Sequence, residues 1–191
     1  MHLIMLNQKL QPRKQLIDKI GTSFDKNFLE SVNLLKETIQ SNKKVLFVGN
    51  GGSAAEAQHM AAEYIATLDH KRPRLGMKAI ALTTDTSFIT AWSNDFGYES
   101  IFERQVETLG EERDCLMAYS TSGTSPNILK AVRKAKEINM NVISFLGNDG
   151  GTIKNFSDIS FIVPSSETPL IQEVHTMLGH EVCSEVEKIL L

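Results

Sequence analysis

The sequence predicts a three-layer αβα sandwich built on a five-stranded parallel sheet and preceded by N-terminal helices. Three observations carry this expectation. Short apolar runs recur at Val45–Val48, Ala79–Leu82, Cys115–Tyr119, Val142–Leu146 and Ile159–Val163. None alternates strictly between polar and apolar residues, which marks strands covered on both faces. Helix-like segments separate most of the runs, as parallel strands require. The 191 residues fit one domain over 1–191, with a helical segment at 1–41 and an α/β core at 42–191.

The elements follow in order. Over the first 41 residues, Ile17, Ile20, Phe24, Phe28, Val32, Leu35 and Ile39 recur at spacings of three and four, one apolar stripe of helical period. Gly21 and Thr22 are a natural break within it. A stripe this long ahead of the first strand must cover the sheet or join a bundle with other subunits. After the first strand, Asn50-Gly51-Gly52-Ser53 reads as a glycine-rich turn with Ser53 as N-cap, opening a helix over Ser53–Thr67. Thr83-Thr84-Asp85-Thr86-Ser87 caps the next helix, expected from Ser87 to about Val106, and Asn94-Asp95-Phe96-Gly97-Tyr98 is a turn by composition. Ser120-Thr121-Ser122-Gly123-Thr124-Ser125 follows the third strand, and Pro126 sits where a helix over Pro126–Glu137 would begin. A short helical piece lies near Ile153. A last helix runs from about Pro169 to Leu191, with Val174, Met177, Leu178, Val182, Val186 and Leu190 as its apolar face.

Composition narrows the function. Apolar residues are 41% and the net charge is −3, so the chain carries no electrostatic footprint for nucleic acid or an acidic membrane. Cys115 and Cys183 lie among apolar neighbours without metal spacing and read as buried free thiols of a reducing compartment. The start, MHLIMLNQKLQPRKQ, is too short in its apolar part for a secretory signal, and no run reaches membrane-spanning length. A cytoplasmic protein is expected.

Two loops suit a phosphorylated ligand. Glycines at Asn50–Ser53 allow close backbone approach, and a helix N-terminus presents free N–H groups. The hydroxyls of Ser120–Ser125 stand before a second helix N-terminus. Either loop alone is also compatible with an ordinary strand-to-helix turn.

Five histidines are present. His2 and His70 lie in terminal or loop contexts. His59 and Glu63 are helix neighbours at i, i+4, spaced for one metal ion or for a plain surface pair. Gln172, Glu173, His175 and His180 read as a polar face of the last helix. Gln172 and His180 are about 12 Å apart along its axis and about 80° around it, so one metal would join both only by long reach, a bent helix or a second subunit.

Together, GNGGSAAEAQHMAAE, ALTTDTS, NDFGYE, RQVETLG, STSGTSPNILKA and IQEVH resemble the sedoheptulose-7-phosphate isomerases (phosphoheptose isomerases) of the sugar-isomerase (SIS) fold group, from about Val32 to the end. The resemblance implies an aldose–ketose isomerase that feeds heptose into a bacterial surface polysaccharide. It also implies a homotetramer with active sites between subunits. A zinc ion would be held by His59, Glu63, Gln172 and His180. Glu63 would be the general base and His180 the general acid. Substrate would touch Asn50, Gly51, Gly52, Glu63, Asn94, Asp95, Ser120, Thr121, Ser122, Ser125 and Gln172. The chain departs from the family pattern at Thr67 and Leu170, where arginine is usual, and at Ser93, where glycine is common. Thr67 and Leu170 keep open an isomerase of another ketose phosphate. A non-catalytic adapter of the same fold, like the replication-initiation factor that resembles this family, would not need the metal set.

Overall fold

The computed structural model describes residues 5–190. Two helices, α1 (Leu6–Ile20) and α2 (Asp25–Gln40), come first, joined by a 3-10 turn at Gly21–Phe24. The break falls where Gly21 suggested it. The core then alternates as β1 (Val45–Val48), α3 (Gly52–Ile65), β2 (Ala79–Ala81), α4 (Thr86–Phe96), α5 (Ile101–Leu109), β3 (Cys115–Ser120), α6 (Pro126–Glu137), β4 (Asn141–Gly147), β5 (Ile159–Val163) and α7 (Thr168–Leu190). All five strands pair in parallel, in the order β2-β1-β3-β4-β5.

Alternate strand residues feed two separate cores. Phe47, Met117, Tyr119, Phe145 and Phe161 point to the face covered by α2, α3 and α7. Leu46, Leu116, Ala118, Val142 and Leu146 point to the face covered by α5 and α6. Both faces are therefore dry, which is why the strands read as continuous apolar runs. Cys115 and Cys183 are buried and unbridged. Burial pushes the Cys183 thiol up to about 12. Among the described residues no helix is long and apolar enough to cross a membrane.

Four local expectations change. The helix expected over 87–106 is two helices, parted at Gly97 (φ 90°) and a 3-10 turn at Tyr98–Ser100. Asn94 and Asp95 belong to the last turn of α4 and not to the turn itself. Gly51, not Ser53, is the N-cap of α3; Ser53 lies buried inside the first helical turn. His175, expected on a polar face, is only 1% exposed, because that side of α7 rests on the sheet. His70 is exposed as expected, and His2 lies outside the described residues.

Of the N-terminal stripe, Phe24, Phe28 and Ile39 pack on the core beside the buried Ile20, Val32 and Leu35, while other apolar residues of α1 and α2 are left uncovered within the chain. Leu16, Ile20, Val32 and Leu35 are buried. Leu6, Leu10, Ile17 and Leu29 stay exposed. An open groove of about 250 Å³ runs past Ile17, Phe24, Phe28 and Met177.

Candidate active site

Strand order places the site. β1 lies between β2 and β3, so the chain leaves β1 toward one edge and returns to β3 on the other side, a topological switch point where ligands bind beyond strand ends. The loops after β1 and β3 are therefore neighbours, although they are far apart in sequence. Asn50 and Asn127 join them through reciprocal side-chain hydrogen bonds, each 2.8 Å. The Tyr98 hydroxyl also donates to Asn50 Oδ1 (3.0 Å), drawing in the corner between α4 and α5. Asn127 is buried in the first turn of α6, and its role was not read from the sequence. Its one available signal was an amide directly after the helix-starting proline.

The hydroxyl-rich loop is folded around Ser120. Ser120 Oγ lies 3.1 Å from Ser125 Oγ and accepts from the Gly123 amide at 3.2 Å. Ser122 Oγ accepts from the Thr124 amide (3.2 Å). Ser125 occupies the N-cap position of α6 but makes no capping bond, so the helix N-terminus keeps amide donors for an anion. Gly123 has φ +68°, and a Cβ there would collide with the Gly150 carbonyl. The loop needs glycine for both reasons.

The histidine pair assembles at the seam between α3 and α7. His59 Nε2 and His180 Nε2 stand 2.8 Å apart, and Glu63 Oε1 lies 3.8 Å from His59 Nε2. One donor atom from each of the three residues falls within 4.8 Å of the others. Facing Nε2 atoms at this distance suit one imidazole donating and the other accepting. Zinc at ordinary N and O bond lengths sets neighbouring donors roughly 3.4 Å apart, between the two observed separations. Two imidazoles and a carboxylate are a donor set that zinc accepts. The residues present therefore fit such an ion.

The remaining candidates fall around this group. Gln172 lines a groove of about 400 Å³ together with Gly52, Glu56, His59 and Thr176. Its amide packs on Gly52, where a Cβ would meet Gln172 Nε2 at 2.5 Å. Two turns of α7 separate it from His180, so it meets the start of α3 and His180 meets the middle. Asn94 and Asp95 are exposed and bonded to each other (2.8 Å), and neither lines the groove at His59. Thr67, in the position where arginine is usual, donates to Glu187 at 3.1 Å. Leu170 is buried in the first core beside Leu16 and Val174. Ser93 sits in α4 with its hydroxyl buried and unpartnered.

One further carboxylate escaped the sequence reading. Glu56 is buried on α3, one turn before His59, and accepts a short hydrogen bond from Thr176. Burial raises its pKa above the usual carboxylate range, against the lowering effect of Thr176 and of His59 and His180. Its other oxygen has no partner. A glutamate in an alanine-rich helix gave no sign of this in one dimension.

Comparison with known proteins agrees with this geometry. The SIS domain family matches residues 11–147. A Helicobacter pylori phosphoheptose isomerase is 46% identical over 184 residues, covering 96% of this chain and 95% of the relative. A phosphoheptose isomerase of Burkholderia pseudomallei is 53% identical over 150 residues, 78% of this chain and 75% of that one. Among solved structures, the phosphoheptose isomerase of Neisseria gonorrhoeae superposes with a TM-score of 0.89 at 35% identity, covering 96% of this chain and 97% of the other. The Francisella tularensis enzyme gives 0.90 at 33%, covering 96% of each. With the switch-point loops and the His59–Glu63–His180 group in place, the chain belongs to the SIS-domain family and, within it, to the phosphoheptose isomerases.

Proposed function

We propose that this protein converts D-sedoheptulose 7-phosphate to D-glycero-D-manno-heptose 7-phosphate through an enediol, for bacterial surface heptose biosynthesis in the cytoplasm. The observation that carries this reading is the convergence of His59, Glu63 and His180 beside two loops built for a sugar phosphate. Identity of 46% across nearly the whole chain to a phosphoheptose isomerase supports the same substrate.

The residues divide the work. Amide donors at the start of α6, with Ser120, Thr121, Ser122 and Ser125, hold the phosphate without a lysine. Asn50, Gly51 and Gly52 hold the sugar, and Gln172 contacts it across the groove. Asn94 and Asp95 reach substrate from a neighbouring subunit, which accounts for their exposure in one chain. Glu63 removes a proton from C1 of the ketose and a proton returns at C2. His180 exchanges the proton between the two oxygens, so the aldose forms with no net redox change. Holding the far phosphate orients the reacting end, so binding energy spent there lowers the barrier.

His59, Glu63 and His180 would hold zinc, and Gln172 would complete the set only by reaching across the two turns of α7 that part it from His180 or from a second subunit. The ion would supply Lewis-acid polarisation of the substrate carbonyl. A homotetramer is supported by the exposed apolar residues Leu6, Leu10, Ile17 and Leu29 on α1 and α2. The test is purified protein with zinc and sedoheptulose 7-phosphate, with aldose followed by NMR. Turnover that ceases on chelation, returns with zinc, and is lost in Glu63→Gln without loss of fold is expected. Conversion of a different ketose phosphate alone would reassign the substrate. A metal-free, inactive protein would favour the adapter reading.

A further inference from the structure

α3 and α7 run side by side in the same direction with a constant offset. Thr176 bonds Glu56, His180 faces His59, and Glu187 accepts from Thr67, at sequence separations of 120, 121 and 120. Between these levels, Gly179 lets the helices close, since a Cβ there would lie 2.7 Å from Met60 Sδ. Whatever fixes one level of this ladder constrains the next.

The last level carries a buried ion pair. Arg74, from the segment between α3 and β2, meets Glu187 through Nε (2.8 Å) and Nη2 (2.7 Å). Their side chains are 5% and 4% exposed. The same guanidinium donates to the Glu63 carbonyl (2.9 Å) and the Tyr64 carbonyl (3.0 Å). These carbonyls belong to the last turn of α3, which lacks intrahelical donors, and a cation there also suits the helix dipole. Glu187 further accepts from the Leu68 and Asp69 amides at 2.8 and 3.2 Å. Burying both charges is costly unless each bonding position is filled, and here nearly all are. Glu187 follows His180 by seven residues, so it lies on the same face of α7, about 10 Å further along. Thr67 contributes a hydroxyl to this cluster where the family pattern has a long cation.

We propose that Arg74 and Glu187 are positioning residues for the metal-type group: by gripping Glu63 at its backbone and α7 two turns beyond His180, they set the separation of these two ligands. The inference rests on reading His59, Glu63 and His180 as a metal site. Neither residue of the brace belongs to the His59–Glu63–His180 group.

The experiment measures Zn²⁺ affinity by competition with a chromophoric chelator and records the Co²⁺ absorption spectrum. It compares the full-length wild type with Arg74→Lys, the double variant Arg74→Met/Glu187→Met, and Val142→Ala. Arg74→Lys keeps the charge and loses the planar fork. The double variant removes both buried charges together, so it should fold. Val142→Ala lowers stability on the opposite face of the sheet. Both brace variants should bind Zn²⁺ about tenfold to a hundredfold more weakly and shift the Co²⁺ spectrum. Val142→Ala should do neither. Wild-type affinity and spectrum in the brace variants, whatever their melting temperature, would overturn the brace alone. An equal loss in Val142→Ala would reduce it to general destabilisation. A wild type that takes up no Zn²⁺ would overturn the metal reading and the brace with it.

Discussion

Acid should destabilise this protein through His175, the buried histidine of α7. Its ring is buried under β4, with Nε2–H donating to the Leu146 carbonyl at 3.1 Å and Nδ1 without a partner. Burial brings its pKa down from 6.5 to about 4, opposed only in part by the Leu146 bond. The folded state therefore keeps this imidazole neutral while the unfolded chain protonates it. The unfolded state binds the extra proton between about pH 6.5 and pH 4, so stability falls as pH drops through that window. A difference of about 2.5 pKa units corresponds to about 3 kcal/mol at full development, and about 2 kcal/mol of it is expressed by pH 5. For a chain of this size that is a fall in Tm of roughly 4–8 °C. The assay is calorimetric melting at pH 7.5 and pH 5 of wild type and His175→Gln, whose amide can still donate to Leu146. The other titrating groups are common to both proteins and cancel in the comparison. His175→Gln should lose about 2 kcal/mol less than wild type on acidification. Parallel curves for the two proteins would refute the claim that His175 is held neutral by burial.

Two further outcomes follow from the loops. Gly123→Ala places a Cβ against the Gly150 carbonyl at φ +68°, and should cost about 1–3 kcal/mol of stability and raise KM more than it lowers kcat. Denaturant melts with steady-state kinetics check this, and an unchanged midpoint would contradict the close approach. Asn127→Ala removes both bonds to Asn50 and leaves Asn50 Nδ2 without its partner, with only Tyr98 still donating to Oδ1, so KM should rise about tenfold while zinc content stays unchanged. A loss of zinc in that variant would mean that the two loops and the metal-type group are not separable.

Much of the site could be read in one dimension because its parts are local. The Asn50–Gly52 turn, the hydroxyl loop and the His59–Glu63 spacing each depend on residues within a few positions of one another. Glu56, Asn127 and Arg74 were not legible for the opposite reason. Their partners, Thr176, Asn50 and Glu187, lie 77 to 120 residues away, and a polar residue in a helix or loop looks the same whether or not such a partner exists. Asn94 and Asp95 misled at the level of local structure. Their turn-like composition marks the end of a helix, and the chain reverses only at Gly97.

By itself the sequence determined the layer order, the strands and the helix that carries His59 and Glu63, because hydrophobic period and glycine placement act over short distances. Only the tertiary structure decided where the two histidines of α7 lie. The two are five residues apart, which turns them to different sides of the helix: His175 goes into the sheet's apolar core and His180 to the α3 seam. The sheet order and the parallel pairing of α3 with α7 set that choice, and the second arises from contacts between residues 120 and 121 positions apart.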